Sequence, residues 1–496
     1  MSALLLAIDQ GTTNSKAVLV DEAGAVVARG SAPLSIRHPA PGWVEQDATE
    51  LWQSVVEAVR ACLGAGPAGA HIAGIAISNQ RESVVAWHAL TGEPLGPCVS
   101  WQCRRTAAAC SELRAAGHES TVVAKTGLPI DPMFGASKAA WLLAHVRERR
   151  PELTQSDVRL GTVDAWLLHN ASGGARYACD ASNASRTQLF DIEAGRWDED
   201  LGELFGVPTR LLPEVLDSDA EFGLTEGFRG VPDGTPIRAM LGDSHAALFG
   251  HGVDRPGVVK ATYGTGSSLM TPLEQAAAPQ HGVTTTVAWS RSGTRTYALE
   301  GNILVSAASL PWASELLGLG GDPGALAALA ETAPSSGGVD FVPALIGLGA
   351  PHWDSDALGL FSGLSFRSGR AEVARAVMES IALQVADVFD AMRSQAPHPL
   401  RHLLADGGPS ANRWLMSIQA DMIGAPVIAS DAPEASALGA AYMAGLALGH
   451  WPRLADVPAL QHQPEPILPR IDDAERERRR ATWRNAVARA RLKAEP

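Results

Sequence analysis

A strand that ends in a glycine-centred turn and returns as a second strand occurs twice in this chain, once at its N-terminus and once near its middle. The first copy comprises Leu4–Ile8, the turn Gly11-Thr12-Thr13 and Ala17–Val20, and the second comprises Val258–Thr262, the turn Tyr263-Gly264-Thr265-Gly266 and Ser267–Met270. These apolar runs are short and bounded by turn residues, which is the pattern of buried strands. The repetition predicts an α/β chain built from two homologous halves that close on a central cleft.

Length and composition agree with two folded halves. The chain has 496 residues, of which 46% are hydrophobic and 19% are charged. This is the composition of a globular protein, and the length allows a hydrophobic core in each half. We place the boundary so that the predicted domains are residues 1–246 and 247–496.

Charge and cysteine usage restrict the partners and the location. The net charge is −14, so the surface repels nucleic acid and anionic membranes, and we expect neither as a partner. The 5 cysteines include no CxxC pair, so we expect reduced thiols rather than disulfides or a zinc site. The apolar run Ala3–Ile8 is too short for a signal peptide, and no run approaches the ~18–20 apolar residues of a membrane span. The sequence therefore predicts a cytoplasmic protein.

Phosphate binding by a Walker loop is excluded, because the chain has no GxxxxGK[ST] motif. Instead, three glycine-centred turns each leave a predicted strand, and they begin at Asp9, Thr262 and Asp406. Glycine lets successive backbone N–H groups approach an anion. In the first turn Thr12 and Thr13 add hydroxyl donors, and Asp9 at the strand end can hold magnesium through water. One such turn is often only a turn, but three in this order predict a phosphate-binding cleft.

A general base is expected at Asp243, which directly follows the predicted strand Ile237–Leu241. Phosphoryl transfer needs alignment, charge neutralisation and a carboxylate that orients and deprotonates the attacking hydroxyl. The alternative is that Asp243 only caps a helix that begins before His245–Phe249.

Polyol binding is expected at Arg81 and Glu82, which follow the predicted strand Ile72–Ser78 and can donate to and accept from neighbouring hydroxyls. Trp101 can pack against the carbon face of such a ligand. The alternatives are a surface charge pair for Arg81 and Glu82, and a core position for Trp101.

Motifs along nearly the whole chain resemble the FGGY carbohydrate kinases, which have the actin-like fold, and among them the glycerol kinases most. The matching segments are Ala7–Thr13, Pro41–Asp47, Asn79–Glu82, Trp101–Thr106, Thr126–Asp131, Gly161–Leu167, Asn183–Phe190, Tyr263–Gly266, Gly347–Trp353, Gly359–Glu379 and Asp406–Gly408. The resemblance implies two actin-like (ribonuclease H-like) domains and an ATP- and Mg²⁺-dependent kinase of a small polyol or sugar. In that arrangement the first domain carries the substrate and magnesium side, and the second carries the nucleotide side.

The resemblance also implies a role for each matching residue. Asp9 is expected to hold magnesium, and Asp243 to be the catalytic base. The residues expected to bind the nucleotide are Thr12, Thr13, Asn14, Lys16, Gly264, Thr265, Gly266, Gly408 and Asn412. The residues expected to bind the substrate are Arg81, Glu82, Trp101, Met133, Asp243, Ser244 and Ser268.

Three of these substrate positions depart from the glycerol kinases. Met133, Ser244 and Ser268 stand where those enzymes usually have Tyr, Gln and Phe. Two aromatic walls suit a three-carbon substrate, whereas a larger and more polar pocket suits a longer one. We therefore expect a four- or five-carbon polyol or ketose as the preferred substrate. Pocket shape is typically worth only ~1–3 kcal/mol, so glycerol itself is the alternative.

Two other classes of protein remain as alternatives. A catalytically inactive sugar and nucleotide sensor has no need of the base Asp243, which this chain retains. A chaperone-like or cytoskeletal ATPase has no need of the polyol residues Arg81, Glu82 and Trp101. The sequence leaves the oligomeric state open between a homodimer, a homotetramer and a single chain.

Overall fold

The computed structural model describes residues 3–430, 434–461 and 464–492. Its strands are β1 Ala3–Gln10, β2 Asn14–Val20, β3 Val26–Pro33, β4 Glu45–Gln46, β5 His71–Asn79, β6 Val84–His88, β7 Cys98–Val99, β8 Val158–Thr162, β9 Ala178–Asp180, β10 Phe190–Asp191, β11 Arg196–Trp197, β12 Glu214–Leu216, β13 Gly223–Leu224, β14 Pro236–Gly242, β15 Val258–Tyr263, β16 Ser267–Leu273, β17 Thr284–Arg291, β18 Thr294–Ile303, β19 Asp340–Val342, β20 Leu360–Ser362, β21 His402–Asp406 and β22 Val427–Ala429.

The helices alternate with these strands, as expected for an α/β chain. They are α1 Ala48–Ala65, α2 Ala107–Ala115, α3 Glu119–Thr126, α4 Gly135–Arg149, α5 Val163–Ala171, α6 Ala181–Ala184, α7 Glu199–Phe205, α8 Asp243–Gly250, α9 Ser309–Leu316, α10 Pro323–Thr332, α11 Arg370–Gln395, α12 Arg413–Ile423, α13 Ala435–Ala447 and α14 Asp473–Ala490. Within the described ranges, none of these helices combines the length and the apolar character needed to cross a membrane.

Two six-stranded sheets carry the fold, and they share a five-stranded core, β3-β2-β1-β5-β14 in the first and β18-β16-β15-β21-β22 in the second, with the sixth strand added at opposite ends. The first has the order β13-β14-β5-β1-β2-β3 and the second the order β17-β18-β16-β15-β21-β22. In the first, β1 pairs antiparallel with β2 and parallel with β5, which in turn pairs parallel with β14. In the second, β15 pairs antiparallel with β16 and parallel with β21, which pairs parallel with β22. The predicted α/β architecture with two homologous halves is therefore confirmed.

Local sequence explains why these elements form where they do. Strand β1 is apolar from Ala3 to Ile8 and most of it is buried, and only its last two residues, Asp9 and Gln10, are polar. Asp47 caps α1 as predicted, since its carboxylate accepts from the backbone N–H groups of Thr49 and Glu50. Leu51 and Val55 are spaced so that they lie on one face of α1, and this face packs into the core of the first half.

The hairpin β17–β18 belongs to the second sheet but packs against the first half. The backbone N–H of Thr285 donates to the carbonyl of Gly127 over 3.0 Å. The hydroxyls of Ser185 and Thr286 lie 2.7 Å apart. Val287 is buried in a cluster that otherwise consists of first-half residues. The hairpin thus joins the two halves at one side of the cleft.

The predicted domain boundary between residues 246 and 247 falls inside helix α8, Asp243–Gly250. The limits of the two domains stay a prediction, and residues 1, 2 and 493–496 at their outer ends lie outside the described residues.

Candidate active site

The side chains singled out in the first half lie where parallel strands end. Asp9 lies near the end of β1, Arg81 follows β5, and Asp243 follows β14. Because the carboxyl ends of neighbouring parallel strands meet at one edge of a sheet, loops that are distant in sequence converge there.

Arg81 is the centre of this convergence. Its Nε donates to Oδ1 of Asp243 over 3.1 Å, and its Nη2 donates to Oγ of Ser244 over 3.1 Å. Its Nη1 donates to Oε1 of Glu300 over 2.6 Å. Ser268 donates to the same oxygen of Glu300 over 3.3 Å. The structure therefore brings together four of the predicted substrate residues, and it adds Glu300.

Asp243 is partly open to solvent, with 36% of its side chain exposed. It is the first residue of α8, and the capping position is occupied by Gly242. Asp243 is therefore not the N-cap of this helix, and its carboxylate accepts from the backbone N–H of Ser244 over 2.6 Å. An exposed carboxylate held by one arginine can receive a proton from a bound hydroxyl.

The carboxylate of Glu82 pairs with a buried arginine, and its role in substrate binding stays a prediction. Its side chain is only 3% exposed, and it accepts from Nε of Arg186 over 2.6 Å. Its backbone has a φ of 60°, a left-handed conformation that costs of order 1–3 kcal/mol for a non-glycine residue. Arg81 and Glu82 are thus a buried pair and not the surface charge pair that was the alternative.

Asp9 is half-buried and accepts from the hydroxyl of Ser78 over 3.1 Å. Burial, and second the charge of Asp243, raise the pKa of Asp9 to about 6, although Lys16 opposes this. Across the described chain, no group of three or more His, Cys, Asp or Glu residues is arranged to hold a metal. A pair of carboxylates beside a phosphate site suits Mg²⁺, which usually keeps several waters and binds one or two carboxylates plus phosphate oxygens.

Residues of both halves line a cleft of about 870 Å³, among them Trp101, Met133 and Thr265. The indole Nε1 of Trp101 donates to Oγ1 of Thr12 over 3.0 Å, so the cleft wall is attached to the first glycine-centred turn. Trp101 is half-buried, which differs from the core position that was its alternative. Met133 is buried, and its backbone carbonyl accepts from Lys138.

The other predicted nucleotide residues lie on turns that leave the two sheets. Thr13 and Thr265 are exposed at the tips of the β1–β2 and β15–β16 turns. Asn14 and Lys16 lie on β2, directly after the first of these turns.

The second and third turns support each other. Gly264 donates its backbone N–H to the carbonyl of Gly266 over 2.8 Å, which closes the second turn. Gly408 follows β21, and Asn412 caps α12 by accepting from the backbone N–H of Leu415 over 3.0 Å. The side-chain oxygen of Asn412 is therefore occupied within the protein.

Adjacent glycines in the third turn have opposite surroundings. Gly407 has a φ of 91°, and a Cβ there would lie 2.1 Å from the carbonyl oxygen of Tyr263. A Cβ on Gly408 would meet no atom within 4 Å. The conformational need for glycine thus falls on Gly407, whereas Gly408 borders open space.

These surroundings predict different effects of two alanine substitutions. Gly407→Ala is expected to lower the free energy of unfolding by about 1–2 kcal/mol, because it combines a left-handed backbone with a backbone clash. Gly408→Ala is expected to change stability by less than ~0.5 kcal/mol. It is expected to raise the KM for ATP about tenfold, because its methyl group enters the open space. Urea unfolding and steady-state kinetics on both variants measure this, and equal stability of the two variants would contradict it.

Several charged residues around the site were not singled out in the sequence. Glu300 and Arg186 are fully buried, and Arg186 forms ion pairs with both Glu82 and Glu300. Lys138 donates to the carbonyls of Glu82, Met133 and Phe134, and burial lowers its pKa to about 8. A charged residue directly after an apolar run, such as Glu300 after Tyr297–Leu299 in β18, is the signal that could have identified this network.

Comparison with known proteins gives a consistent result over the whole length. Residues 4–250 match the N-terminal domain, and residues 259–448 the C-terminal domain, of the FGGY family of carbohydrate kinases. The chain is 45% identical over 496 residues to the apulose kinase of Pectobacterium atrosepticum, with 99% of each chain covered. It is 44% identical over 499 residues to the glycerol kinase of Trichlorobacter lovleyi, with 100% of each covered. The crystal structure of Plasmodium falciparum glycerol kinase with ADP matches with a TM-score of 0.91, at 30% identity and over 99% of both chains.

Proposed function

This chain belongs to the FGGY family of carbohydrate kinases, and from that premise we propose that its preferred acceptor is a four- or five-carbon polyol or ketose. As a member of the family it transfers a phosphoryl group from ATP to an alcohol group of a small polyol or sugar. The proposal concerns which acceptor it prefers and which residues act.

The polar side chains around Arg81 carry the substrate proposal. Ser244 and Ser268 both belong to the hydrogen-bonded group centred on Arg81, and Met133 lines the cleft that residues of both halves form. Small hydroxyl-bearing side chains at two positions leave room for additional carbons and offer partners for additional hydroxyls. The relative named apulose kinase supports a sugar acceptor, whereas the relative named glycerol kinase, nearly as similar, favours glycerol as the second candidate.

In the proposed reaction Asp243 accepts the proton of the attacking hydroxyl, which Arg81 and Trp101 help to position. Main-chain N–H groups and threonine hydroxyls of the two turns around Thr12 and Thr265 hold the phosphates of ATP. Asp9 would hold Mg²⁺ through water, and the metal would neutralise phosphate charge. Closure of the two halves excludes water and aligns the hydroxyl with the phosphate.

The wider assignments are proposals of the same kind. Residues 1–246 form the substrate and magnesium side, and residues 247–496 the nucleotide side. The enzyme acts in the cytoplasm, as a homodimer or a homotetramer, without a nucleic-acid or membrane partner. Light scattering coupled to size-exclusion chromatography measures the oligomeric state directly, and a monomer at all concentrations would contradict that part.

The acceptor is tested with a coupled ADP-release assay on glycerol, tetritols, pentitols, apulose and other ketopentoses, and ketohexoses. We expect one four- or five-carbon compound to give the highest kcat/KM, with glycerol about 10–200-fold lower. The highest kcat/KM on glycerol would overturn the substrate proposal and leave the kinase assignment intact. ATP hydrolysis that no acceptor accelerates would instead favour an ATPase, and ATP binding without turnover would favour a sensor.

Asp9 provides a stability test of the proposed metal position. Its pKa in the folded chain, about 6, lies above the ordinary value of 3.8, so ionising it opposes folding. Stability contributed by the protonated form is lost as the pH rises from about 4 to 6, and at pH 7 the ionised carboxylate is a cost. Without Mg²⁺, Asp9→Asn is therefore expected to raise the free energy of unfolding at pH 7 by about 1–3 kcal/mol, while kinase activity falls.

Urea unfolding in EDTA between pH 5 and 8 measures this difference. We expect the stabilisation by Asp9→Asn to grow as the pH rises to about 6 and then to stay constant. An Asp9→Asn chain that is less stable than the wild type at pH 8 would contradict the argument. Asp254→Asn, a substitution on the surface, provides the control.

A further inference from the structure

Glu300 is a carboxylate on strand β18 that has no exposed side-chain surface. Its Oε1 accepts from Nη1 of Arg81 over 2.6 Å, and its Oε2 forms an ion pair with Nη1 of Arg186 over 2.5 Å. Arg186 in turn donates from Nε to Oε1 of Glu82 over 2.6 Å. Glu300 thus holds Arg81 directly, and it also holds Arg186, which in turn holds Glu82.

The charges in this group are balanced only when Glu300 is ionised. Burial alone would raise the pKa of Glu300, but Arg186 and Arg81 hold it at about 2. Leaving two buried guanidinium groups without this carboxylate would be strongly unfavourable. Glu300 is therefore a permanent anion over the whole range of pH in which an enzyme of this kind works.

The position of Arg81 affects the positions of Asp243 and Ser244, which we expect to face the acceptor. Its Nε and Nη2 contact Asp243 and Ser244, whereas its Nη1 contacts Glu300. Because the guanidinium is planar and rigid, holding Nη1 restricts where its other two nitrogens can lie. Ser268, which is half-buried at the cleft, donates to the same oxygen of Glu300, so its lone pairs can accept from an acceptor hydroxyl.

We propose that Glu300 is a positioning residue that sets Arg81, and through it Asp243, in the geometry needed to bind and deprotonate the acceptor, and that it orients Ser268 toward the same acceptor. The inference rests on the proposed function in one respect, namely that Arg81 and Asp243 face the acceptor. It does not depend on which acceptor is preferred. Glu300 comes from the second half and Arg81 from the first, so the acceptor geometry is assembled only when the hairpin β17–β18 lies against the first half.

Glu300→Gln and Glu300→Asp test this proposal with whichever acceptor the wild type uses best. Gln keeps the size and loses the charge, whereas Asp keeps the charge and shortens the reach to Arg81 by one carbon. A misplacement of a catalytic group by about 1 Å can lower the rate on the order of 100-fold. We therefore expect kcat/KM for the acceptor to fall by about that much in both variants. The KM for ATP is expected to stay within about twofold of the wild type, since the phosphate turns do not contact Glu300.

A double variant separates positioning from general damage. If Glu300 acts through Arg81, then Arg81→Lys/Glu300→Gln is expected to be no worse than the poorer single variant by more than about threefold. The proposal would be overturned if the fold losses in kcat/KM of the two single variants multiplied in the double variant. A folded Glu300→Asp enzyme with wild-type kcat/KM for the acceptor would also overturn it, as would KM values for ATP and acceptor that rise together.

Folding is monitored by thermal unfolding and by ADP binding. Glu379→Gln is the matched control, because Glu379 also pairs with an arginine, Arg375, over 2.7 Å and is nearly buried, but lies on α11. We expect that control to keep the wild-type KM for the acceptor. If neither Glu300 variant folds, Glu300 is a structural residue and the proposal is wrong. Absence of turnover in the wild type would instead contradict the proposed function.

Discussion

Asp243→Asn is expected to lower kcat by about 10²–10⁴-fold with every acceptor while ATP and acceptor still bind. Asparagine has the shape of aspartate but cannot take the proton of the attacking hydroxyl. Arg81 lies 3.1 Å from Oδ1 of Asp243 and can still donate to the amide oxygen, so the local geometry is retained. The loss should therefore appear in kcat, with KM values that change little.

Steady-state kinetics together with calorimetric binding of ADP and of the acceptor measure this. Asp254→Asn serves as the control, because Asp254 follows α8 and its nearest arginine is a loose contact at 3.8 Å. A variant at position 243 that retains more than about one tenth of the wild-type kcat would show that Asp243 is not the base.

The second large effect is a change of acceptor preference in the double variant Met133→Tyr/Ser268→Phe. One aromatic ring narrows the cleft that Met133 lines, and the other replaces the hydroxyl of Ser268 that donates to Glu300. We expect the ratio of kcat/KM for glycerol to that for the best longer acceptor to rise about 10–200-fold, as is typical when a pocket changes by one or a few carbons.

Ser268→Ala is the matched control for this change, because it removes the hydroxyl without adding a ring. It is expected to lower kcat/KM for both acceptors and to leave the ratio of the two kcat/KM values within about threefold of the wild type. A ratio that is unchanged in the double variant would mean that other residues set the acceptor size. The substrate proposal would then lose its argument even if the enzyme remained an active kinase.

Local patterns in the sequence were enough to predict the strands around both glycine-centred turns, the cap Asp47 and the α/β class. These features depend on near neighbours in the chain, so short-range periodicity and turn residues determine them. The same patterns placed Asp9, Arg81 and Asp243 after parallel strands, and the structure brings Arg81 and Asp243 into contact. Their roles in the reaction stay predictions.

Features that depend on tertiary contacts could not be predicted from local patterns in the sequence. Arg81 and Glu300 are 219 residues apart, and only the packing of β18 against the first half brings them together. Sequence singled out Gly408, whereas the backbone constraint lies at Gly407, because it arises from contact with Tyr263 on another strand. Nothing in the sequence indicated that Glu82 pairs with Arg186, which lies 104 residues away, and its substrate role stays a prediction.

The hairpin β17–β18 also determines how ligands reach the cleft. It joins the halves on one side through the hydrogen bond from Thr285 to Gly127, so the closure that we propose would have its axis near this side. Displacement in such a lever grows with distance from the axis. Arg104 and Ile346, on opposite walls of the cleft, then travel further than Arg81, which is anchored to the hairpin. In the proposed reaction, acceptor and nucleotide would then enter and leave at the end far from the hairpin, while the contact between Arg81 and Glu300 is kept.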